Sequence, residues 1–346
     1  MSIVRWLSCH HHLSGTPFPR SASDWLPDEE LDLDRWASRE RSVLRKDWLE
    51  FLGTPESVWP GRSILLDESE HPYCRIRTYS QETGPAWWQK VAILSPPPGP
   101  TLGPLPCAVV PFYQCGVPAG SADGEPDEAL AFGLHLVRQG FVVACVEAFP
   151  YNLLPDGEYE RPFGRWQRAA DILKHHHPRW TGAGKLASDT SLAVDLLLQE
   201  PNIDPERLLI MGHSLGGKMA LLTALYDERI SSVIASDFGL APGSTNWGAS
   251  WYFGTKITSQ PQRTLDQVLS ILAPRPFLLI AGEFDGVHSW PYLESARRIY
   301  GLYERAHCLG CIDHRSGHRP SLCSLDMAYA WLGEIFGLEP NLQWRS

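Results

Sequence analysis

The sequence lacks any apolar run long enough to cross a bilayer, and it has no excess of positive charge. Its 30 Lys and Arg residues are outnumbered by 40 Asp and Glu residues, which gives a formal net charge of -10. A phosphate backbone is a poor partner for such a chain, and no basic cluster interleaved with aromatic residues stands out. These absences disfavour a nucleic-acid-binding protein and an integral membrane protein.

Cysteine is also sparse, and its spacing indicates no disulfide framework. The eight cysteines are spread over 346 residues, as expected for free thiols in a reducing compartment. The N-terminal apolar patch is interrupted by Arg5 and followed by histidines at 10–12, so it lacks the long apolar region of a secretory signal. We therefore expect a cytoplasmic protein, and the sequence leaves open whether it is a monomer or a homo-oligomer.

The order of predicted elements indicates one large domain, residues 63–346, behind a helical extension, residues 1–62. An amphipathic helix is predicted over 28–52, with a stop at Gly53, and antiparallel hairpins are predicted over 63–94. A Pro/Gly-rich connector follows at 95–106. The apolar residues that define the helix recur at roughly helical spacing: Leu33, Trp36, Val43, Leu44, Trp48 and Phe51.

Beyond residue 106 the pattern alternates between strands and helices. Such alternation predicts a mostly parallel sheet flanked by helices, whose ligands bind beyond the carboxyl ends of the strands. The strands are predicted at 107–113, 141–147, 207–213, 231–237, 276–282 and 307–313, and the helices near 127–139, 186–200, after 214, 289–303 and 321–336.

One stretch of this pattern carries a chemical signal. Residues 208–221, LLIMGHSLGGKMAL, read as a strand, a tight turn and a helix. The turn fits G-x-S-x-G, in which glycines allow a strained turn to present a serine hydroxyl. Ser214 is therefore a candidate nucleophile, and the backbone N–H of Leu215, at a helix N-terminus, is a candidate oxyanion donor. The alternative is a helix start with a capping serine.

A serine nucleophile needs an imidazole to accept its proton and a carboxylate to orient that imidazole. Asp285 follows the strand at 276–282, and His318 precedes the last helix. The order Ser214, Asp285, His318 is that of α/β-hydrolases. Asp237, at the end of the strand 231–237, competes with Asp285 as the acid, and His314 competes with His318 as the base.

The segments NIDPERLLIMGHSLGGKMAL, APRPFLLIAGEFDG and SGHRP resemble the α/β-hydrolase superfamily, in its dienelactone-hydrolase-like and acetyl-xylan-esterase-like branch. The resemblance covers about residues 100–336, and the N-terminal helix with its hairpins is similar to an extension in bacterial members. It implies an α/β-hydrolase fold with Ser214 as nucleophile, His318 as base and then acid, and Asp285 as the orienting carboxylate.

The superfamily often has His-Gly after the strand at 107–113, where this chain has FYQCGV. The resemblance therefore assigns the second oxyanion N–H to Gln114. Tyr113 is predicted to line the substrate site, either as a phenolic donor or as a cap on the sheet edge. Trp247, Trp251 and Trp290 are candidates for a substrate-stacking wall, with loop packing onto the core as the alternative.

Two further patterns are weaker. Cys308, Cys311, His314 and His318 have a compact zinc-like spacing, but the two cysteines lie in a predicted strand and His318 already has a role. TGAGKLAS, at 181–188, lacks the residues that a phosphate-binding P-loop needs at 179 and 186. We expect neither a metal nor a cofactor.

The leading interpretation is a serine carboxylic ester hydrolase that works through an acyl-enzyme. Its substrate would be a small-molecule or carbohydrate ester, with acetylated carbohydrate as the first candidate. The alternatives are a peptidase or lactonase with the same triad, and a non-catalytic ligand-binding protein of the same fold.

Overall fold

The computed structural model describes residues 2–9, 25, 31–53, 61–84, 86–97, 99, 103–121, 127–155, 157, 159, 163–241 and 243–338. The histidines at 10–12, the start of the predicted N-terminal helix and parts of the Pro/Gly-rich connector lie outside these residues. Within the described residues, no helix is both long enough and apolar enough to cross a membrane.

Nine strands form one mixed sheet with the order β1-β2-β3-β5-β4-β6-β7-β8-β9. The three pairs β1/β2, β2/β3 and β3/β5 are antiparallel. The remaining pairs along the sheet, β5/β4, β4/β6, β6/β7, β7/β8 and β8/β9, are parallel. The parallel sheet and the N-terminal hairpins confirm the predictions. The strands are β1 (Ser63–His71), β2 (Cys74–Gly84), β3 (Trp87–Ser95), β4 (Leu105–Phe112), β5 (Val142–Glu147), β6 (Ile203–His213), β7 (Ser232–Ser236), β8 (Phe277–Ala281) and β9 (Leu309–Asp313).

Helices cover both faces of the parallel part of this sheet. Alternate residues of the central strands enter two separate apolar cores: Val109 and Ile210 face one, and Val110 and Met211 face the other. A sheet buried on both faces explains the nearly continuous apolar runs of its strands.

The helices are α1 (Ile3–Cys9), α2 (Leu33–Arg35), α3 (Arg41–Leu52), α4 (Gly116–Ala119), α5 (Phe132–Arg138), α6 (Phe149–Leu153), α7 (Gly164–His176), α8 (Gly182–Leu197), α9 (Leu215–Tyr226), α10 (Ser250–Phe253), α11 (Lys256–Ser259), α12 (Leu265–Leu272), α13 (Trp290–Leu302) and α14 (Leu322–Phe336). Short 3-10 turns lie at Asn246–Gly248, Val287–Ser289 and Ala306–Cys308.

The N-terminal helix is continuous, but it is less amphipathic than predicted. A π-helical segment, Trp36–Glu40, joins α2 to α3, and Gly53 ends α3 in a left-handed conformation. Trp36, Trp48 and Phe51 are buried as expected, whereas Leu33 and Val43 are exposed. The exposed residues lie on the solvent side of a helix that docks through its aromatic residues.

The C-terminal part of this helix is hydrogen-bonded to α8 and α12. The N–H of Thr181, the N-cap of α8, donates to the Gly53 carbonyl oxygen at 3.0 Å, and the Nε1 of Trp48 donates to Gln267 of α12 at 2.9 Å. The first bond satisfies a carbonyl group that a helix C-terminus otherwise leaves unpaired, and the second gives the buried indole N–H a partner. The domain boundary between residues 62 and 63 stays a prediction.

Candidate active site

The turn at Ser214 is the strained strand-to-helix turn that the motif predicts. Ser214 lies between β6 and α9 with φ 54° and ψ −112°, a conformation that non-glycine residues rarely adopt. The Ser214 N–H donates to the Ser236 carbonyl oxygen at 2.8 Å, which ties the turn to the end of β7. This contact holds the strained turn in place, and the turn puts Ser214 at the edge of the sheet where the parallel strands end.

The glycines of the motif are required by close packing rather than by φ. A Cβ on Gly212 would lie 2.1 Å from the Gly216 carbonyl oxygen, and one on Gly216 would lie 2.2 Å from the Pro111 carbonyl oxygen. A Cβ on Gly217 would lie 2.7 Å from the Cβ of Phe238. Any side chain at these positions would push α9 away from the strands, so the three glycines set the position of the turn.

His318 lies beside this turn and is held by Asp237. Its Nδ1 is 2.6 Å from the Oδ2 of Asp237, a fully buried carboxylate. The His318 ring also packs against His213, the residue before Ser214, with ring centroids 4.5 Å apart, and against Phe284 at 4.7 Å. A carboxylate on Nδ1 leaves Nε2 as the ring nitrogen that can accept a proton.

The structure contradicts the predicted pairing of His318 with Asp285. Asp285 is buried, and its carboxylate accepts hydrogen bonds from the backbone N–H groups of Phe238, Gly239 and Leu240 and from the Ser289 hydroxyl. Burial raises the pKa of the Asp285 carboxyl, and the N–H donors oppose that rise. The rival carboxylate, Asp237, occupies the place beside His318 instead.

The motif context favoured Asp285 over Asp237 as the acid. Both aspartates, however, follow parallel strands at the same edge of the sheet. β7 and β8 are neighbours, so spacing alone does not say which carboxylate turns towards His318. The residue type gives no signal, because both candidates are aspartates. Asp237 has φ 41°, a conformation that aspartate tolerates better than most residues.

The rival base, His314, occupies a different environment. Its Nδ1 is 2.7 Å from the Ser316 hydroxyl within its own loop, and burial lowers its pKa. Within the described residues, the His314 ring makes no hydrogen bond to either candidate acid, whereas His318 bonds to Asp237. The geometry therefore favours His318 over His314.

His213 is a buried neighbour of both Ser214 and His318. Its Nδ1 is 3.1 Å from the Ser236 hydroxyl. Burial, with a smaller contribution from His318, lowers the pKa of His213 to about 3. The ring is therefore neutral at neutral pH and gives His318 a flat, uncharged surface to pack against.

The predicted oxyanion residue Leu215 and the predicted substrate-lining residue Tyr113 lie next to Ser214. Leu215 is the first residue of α9, where backbone N–H groups have no partner within the helix. The Tyr113 phenol lies beside the Ser214 side chain; burial and Tyr151 raise the pKa of that phenol, and Ser214 lowers it. Gln114 is exposed directly after Tyr113.

The three candidate tryptophans differ in their environments. Trp247 is 4% exposed, and its Nε1 donates to the Gly239 carbonyl oxygen at 2.7 Å. Trp290 is 8% exposed. Trp251 is partly buried and stacks on Phe163, with ring centroids 5.5 Å apart. Trp247 and Trp290 therefore pack loops against the core, which was the alternative to a stacking wall, and Trp251 retains accessible surface.

Lys218 is a notable site residue that sequence reasoning missed. It lies one turn after Ser214 on α9 and is only 5% exposed. Its Nζ donates to the Asn246 Oδ1 at 2.5 Å and lies 4.8 Å and 5.0 Å from the ring centroids of Trp247 and Tyr252. Burial lowers the pKa of Lys218 to about 7, although the negative charge of Asp285 raises it in part. The available signal was a lysine inside an otherwise apolar helix.

The other sequence patterns take ordinary structural positions. TGAGKLAS forms the start of α8, where Lys185 pairs with Asp189 in the interior. Cys311 lies buried in β9, and the Nδ1 of His318 already faces Asp237. Among the described residues, no group of His, Cys, Asp and Glu has an arrangement that could hold a metal ion.

Comparisons with known proteins bear on the fold of the chain. Residues 180–337 match the prolyl oligopeptidase family. A glucuronoyl esterase from Solibacter usitatus superposes with a TM-score of 0.67 at 12% identity, covering 92% of this chain and 97% of the esterase. The chain has the α/β-hydrolase fold. An acetyl xylan esterase from Paenibacillus sp. R4 also superposes, with a TM-score of 0.52 at 16% identity over 92% of this chain and 99% of that one.

Sequence comparison also finds a curated relative of this chain. YtaP of Bacillus subtilis (strain 168), whose name says no more than hydrolase, is 23% identical over 143 residues. The match covers 39% of this chain and 48% of YtaP, so the chain spans about half the length of this curated relative.

Proposed function

We propose that this α/β-hydrolase is a serine hydrolase of carboxylic esters. The observation that carries the proposal is the strained turn at Ser214 beside His318, whose Nδ1 is 2.6 Å from the buried Asp237. In this proposal Ser214 is the nucleophile, His318 is the base and then the acid, and Asp237 orients and stabilises the imidazolium.

The reaction divides into acylation and deacylation. The Ser214 Oγ attacks the ester carbonyl carbon while the His318 Nε2 accepts the hydroxyl proton. As the tetrahedral intermediate collapses, the bond to the alcohol oxygen breaks and His318 returns the proton to that oxygen. A water molecule, deprotonated by His318, then attacks the acyl-enzyme, and Ser214 is released with its proton restored.

Two donors suit the developing oxyanion. The Leu215 N–H lies at the N-terminus of α9, where the helix dipole favours negative charge. The Tyr113 phenol, which lies beside Ser214, supplies the second donor in place of the predicted Gln114 N–H. A phenol can follow the charge from the serine oxygen to the carbonyl oxygen because its O–H rotates.

We propose a carbohydrate ester as the substrate, with an acetyl ester as the first candidate. The support is the naming of two proteins that share this fold, a glucuronoyl esterase and an acetyl xylan esterase. A peptidase is the second candidate, because the matched family is that of prolyl oligopeptidase. Parallel assays on p-nitrophenyl acetate and on a prolyl p-nitroanilide separate the two.

We also propose a cytoplasmic location. It is supported by the cysteines, since the seven whose side chains the structure describes are all free thiols, as expected in a reducing compartment. Measurement of free thiols in protein purified without reductant tests this directly.

Labelling with a fluorophosphonate tests the proposed nucleophile. We expect intact mass spectrometry to show one adduct on the wild type and none on Ser214→Ala, with peptide mapping placing the adduct on residue 214. The matched control is Ser316→Ala, which removes a hydroxyl close to the site that contacts His314. Equal labelling of wild type and Ser214→Ala would reject the proposal.

A further inference from the structure

A second cavity lies apart from Ser214, between α7, the start of α8 and α10. Its volume is about 510 Å³, within the range of small-molecule sites. Lys174, Arg179 and Lys256 contribute to its walls, together with Trp180 and Trp251. Cationic and flat aromatic side chains thus face one space.

The charge of this cavity opposes that of the whole chain. Three cations line it against one acid, Glu50, although the chain carries a formal charge of -10. Glu50 has a cation of its own, since its carboxylate lies 3.8 Å from Lys46. Lys256 is partly buried and donates to the Phe51 carbonyl oxygen at 3.1 Å. The cavity therefore favours an anionic ligand.

Each of the two tryptophans in the cavity wall stacks on a neighbouring ring, which fixes its orientation. Trp180 stacks on His177, with ring centroids 3.7 Å apart and an interplanar angle of 10°. Trp251 stacks on Phe163, whose side chain is 49% exposed and whose backbone has φ 62°. Phe163 thus supports the Trp251 ring from outside the cavity.

A chain of aromatic contacts connects this cavity to the candidate active site. Trp251 contacts Tyr252 at 6.0 Å between ring centroids, Tyr252 contacts Trp166 at 6.3 Å, and Trp166 contacts Tyr113 at 5.9 Å. Tyr113 in turn lies beside Ser214. Because Tyr252 and Trp166 are buried, these contacts are interior packing that joins the wall of the cavity to the wall of the candidate active site.

We propose that this cavity binds an acidic sugar unit of the carbohydrate chain whose ester is cleaved at Ser214. The tryptophan faces stack on the apolar faces of the sugar rings, and Lys174 and Arg179 pair with the sugar carboxylate. The inference rests on the proposed carbohydrate esterase function, and it adds a second site and a charge preference.

Isothermal titration of the full-length Ser214→Ala protein tests this binding without turnover. The probes are trigalacturonic acid, neutral cellotriose and sodium sulfate. We expect the acidic trisaccharide to bind at least about tenfold more tightly than cellotriose or sulfate. The Lys174→Ala/Arg179→Ala double variant, built on Ser214→Ala, should weaken that binding about tenfold, since two exposed ion pairs each contribute up to about one kcal/mol.

The matched control is Arg298→Ala, which removes an exposed cation from α13 and should leave binding unchanged. Absence of binding, equal binding of cellotriose, equal binding of sulfate, or an unaffected double variant would each overturn the inference. With Ser214 intact, Lys174→Ala/Arg179→Ala should hydrolyse p-nitrophenyl acetate at the wild-type rate. If the trisaccharide fails to bind while Ser214-dependent hydrolysis is intact, the sugar-binding cavity is rejected and the proposed esterase function stands.

Discussion

Asp237 and Asp285 each accept hydrogen bonds from the turn that carries the other. The Asp237 carboxylate accepts from the four backbone N–H groups of residues 282–285, at 2.9 to 3.1 Å. The Asp285 carboxylate accepts from those of residues 238–240, at 2.5 to 2.8 Å. The two turns therefore lock each other, and of the two carboxylates only Asp237 also contacts His318.

This exchange predicts different effects for two matched substitutions. Asp237→Asn should lower kcat about 10³- to 10⁴-fold, because the amide cannot stabilise the imidazolium. Asp285→Asn should mainly destabilise the fold, by about 2–4 kcal/mol, because an amide NH₂ would face backbone donors. Steady-state kinetics and urea unfolding of both variants check this. A larger loss of kcat in Asp285→Asn, with its stability unchanged, would return the role of acid to Asp285.

The Tyr113 phenol should matter to catalysis rather than to binding. Tyr113→Phe removes only the phenolic hydroxyl, which lies beside Ser214, and should lower kcat about 10²- to 10³-fold with little change in KM, as expected for loss of one oxyanion donor. Tyr79→Phe, which removes a phenol from the distant hairpin, is the control. A wild-type kcat for Tyr113→Phe would mean that the phenol only closes the sheet edge.

His213 should make the fold sensitive to acid. Its pKa is lowered to about 3 from a usual 6.5, so between these values the unfolded chain binds more protons than the folded one. The free energy of unfolding should then fall as the pH falls through this window, by up to about 1.4 kcal/mol per pH unit. His213→Gln should have a shallower dependence, measured by urea unfolding at pH 4 to 7. The control is the exposed His288→Gln, and an unchanged slope in His213→Gln would contradict the neutral buried ring.

Lys218 should make the free energy of unfolding depend on pH in the alkaline range. Its pKa is about 7 in the fold and 10.5 in model compounds, so the unfolded chain again binds more protons between these values. Its contribution to the free energy of unfolding should therefore rise with pH from 7 towards 10.5. Subtracting the pH profile of Lys218→Met from that of the wild type should reveal this rise, and Lys46→Met, at an exposed position, should show none. A flat difference would mean that Lys218 keeps its charge in the fold.

The sequence carries the local part of this site but not the part that depends on long-range contacts. The turn at Ser214 was predictable because its glycines and flanking apolar runs are contiguous. The choice between Asp237 and Asp285 depends on how two turns interlock 45 to 48 residues apart. Lys218 escaped notice for the same reason, since its partner Asn246 is 28 residues away.

The fold shows the same division. The alternating strands and helices were predicted because each is a local pattern, and the sheet confirms them. The docking of α3 was not predictable, since burial of Trp48 requires Gln267, 219 residues further along the chain.

The most direct test of the central claim is the kcat/KM for p-nitrophenyl acetate of the wild type and of Ser214→Ala, measured on the same day at equal folded concentration. The account predicts measurable turnover by the wild type and a loss of several orders of magnitude in the variant. Equal rates for the two proteins, or no turnover by a wild type that also resists fluorophosphonate, would contradict a serine ester hydrolase at Ser214.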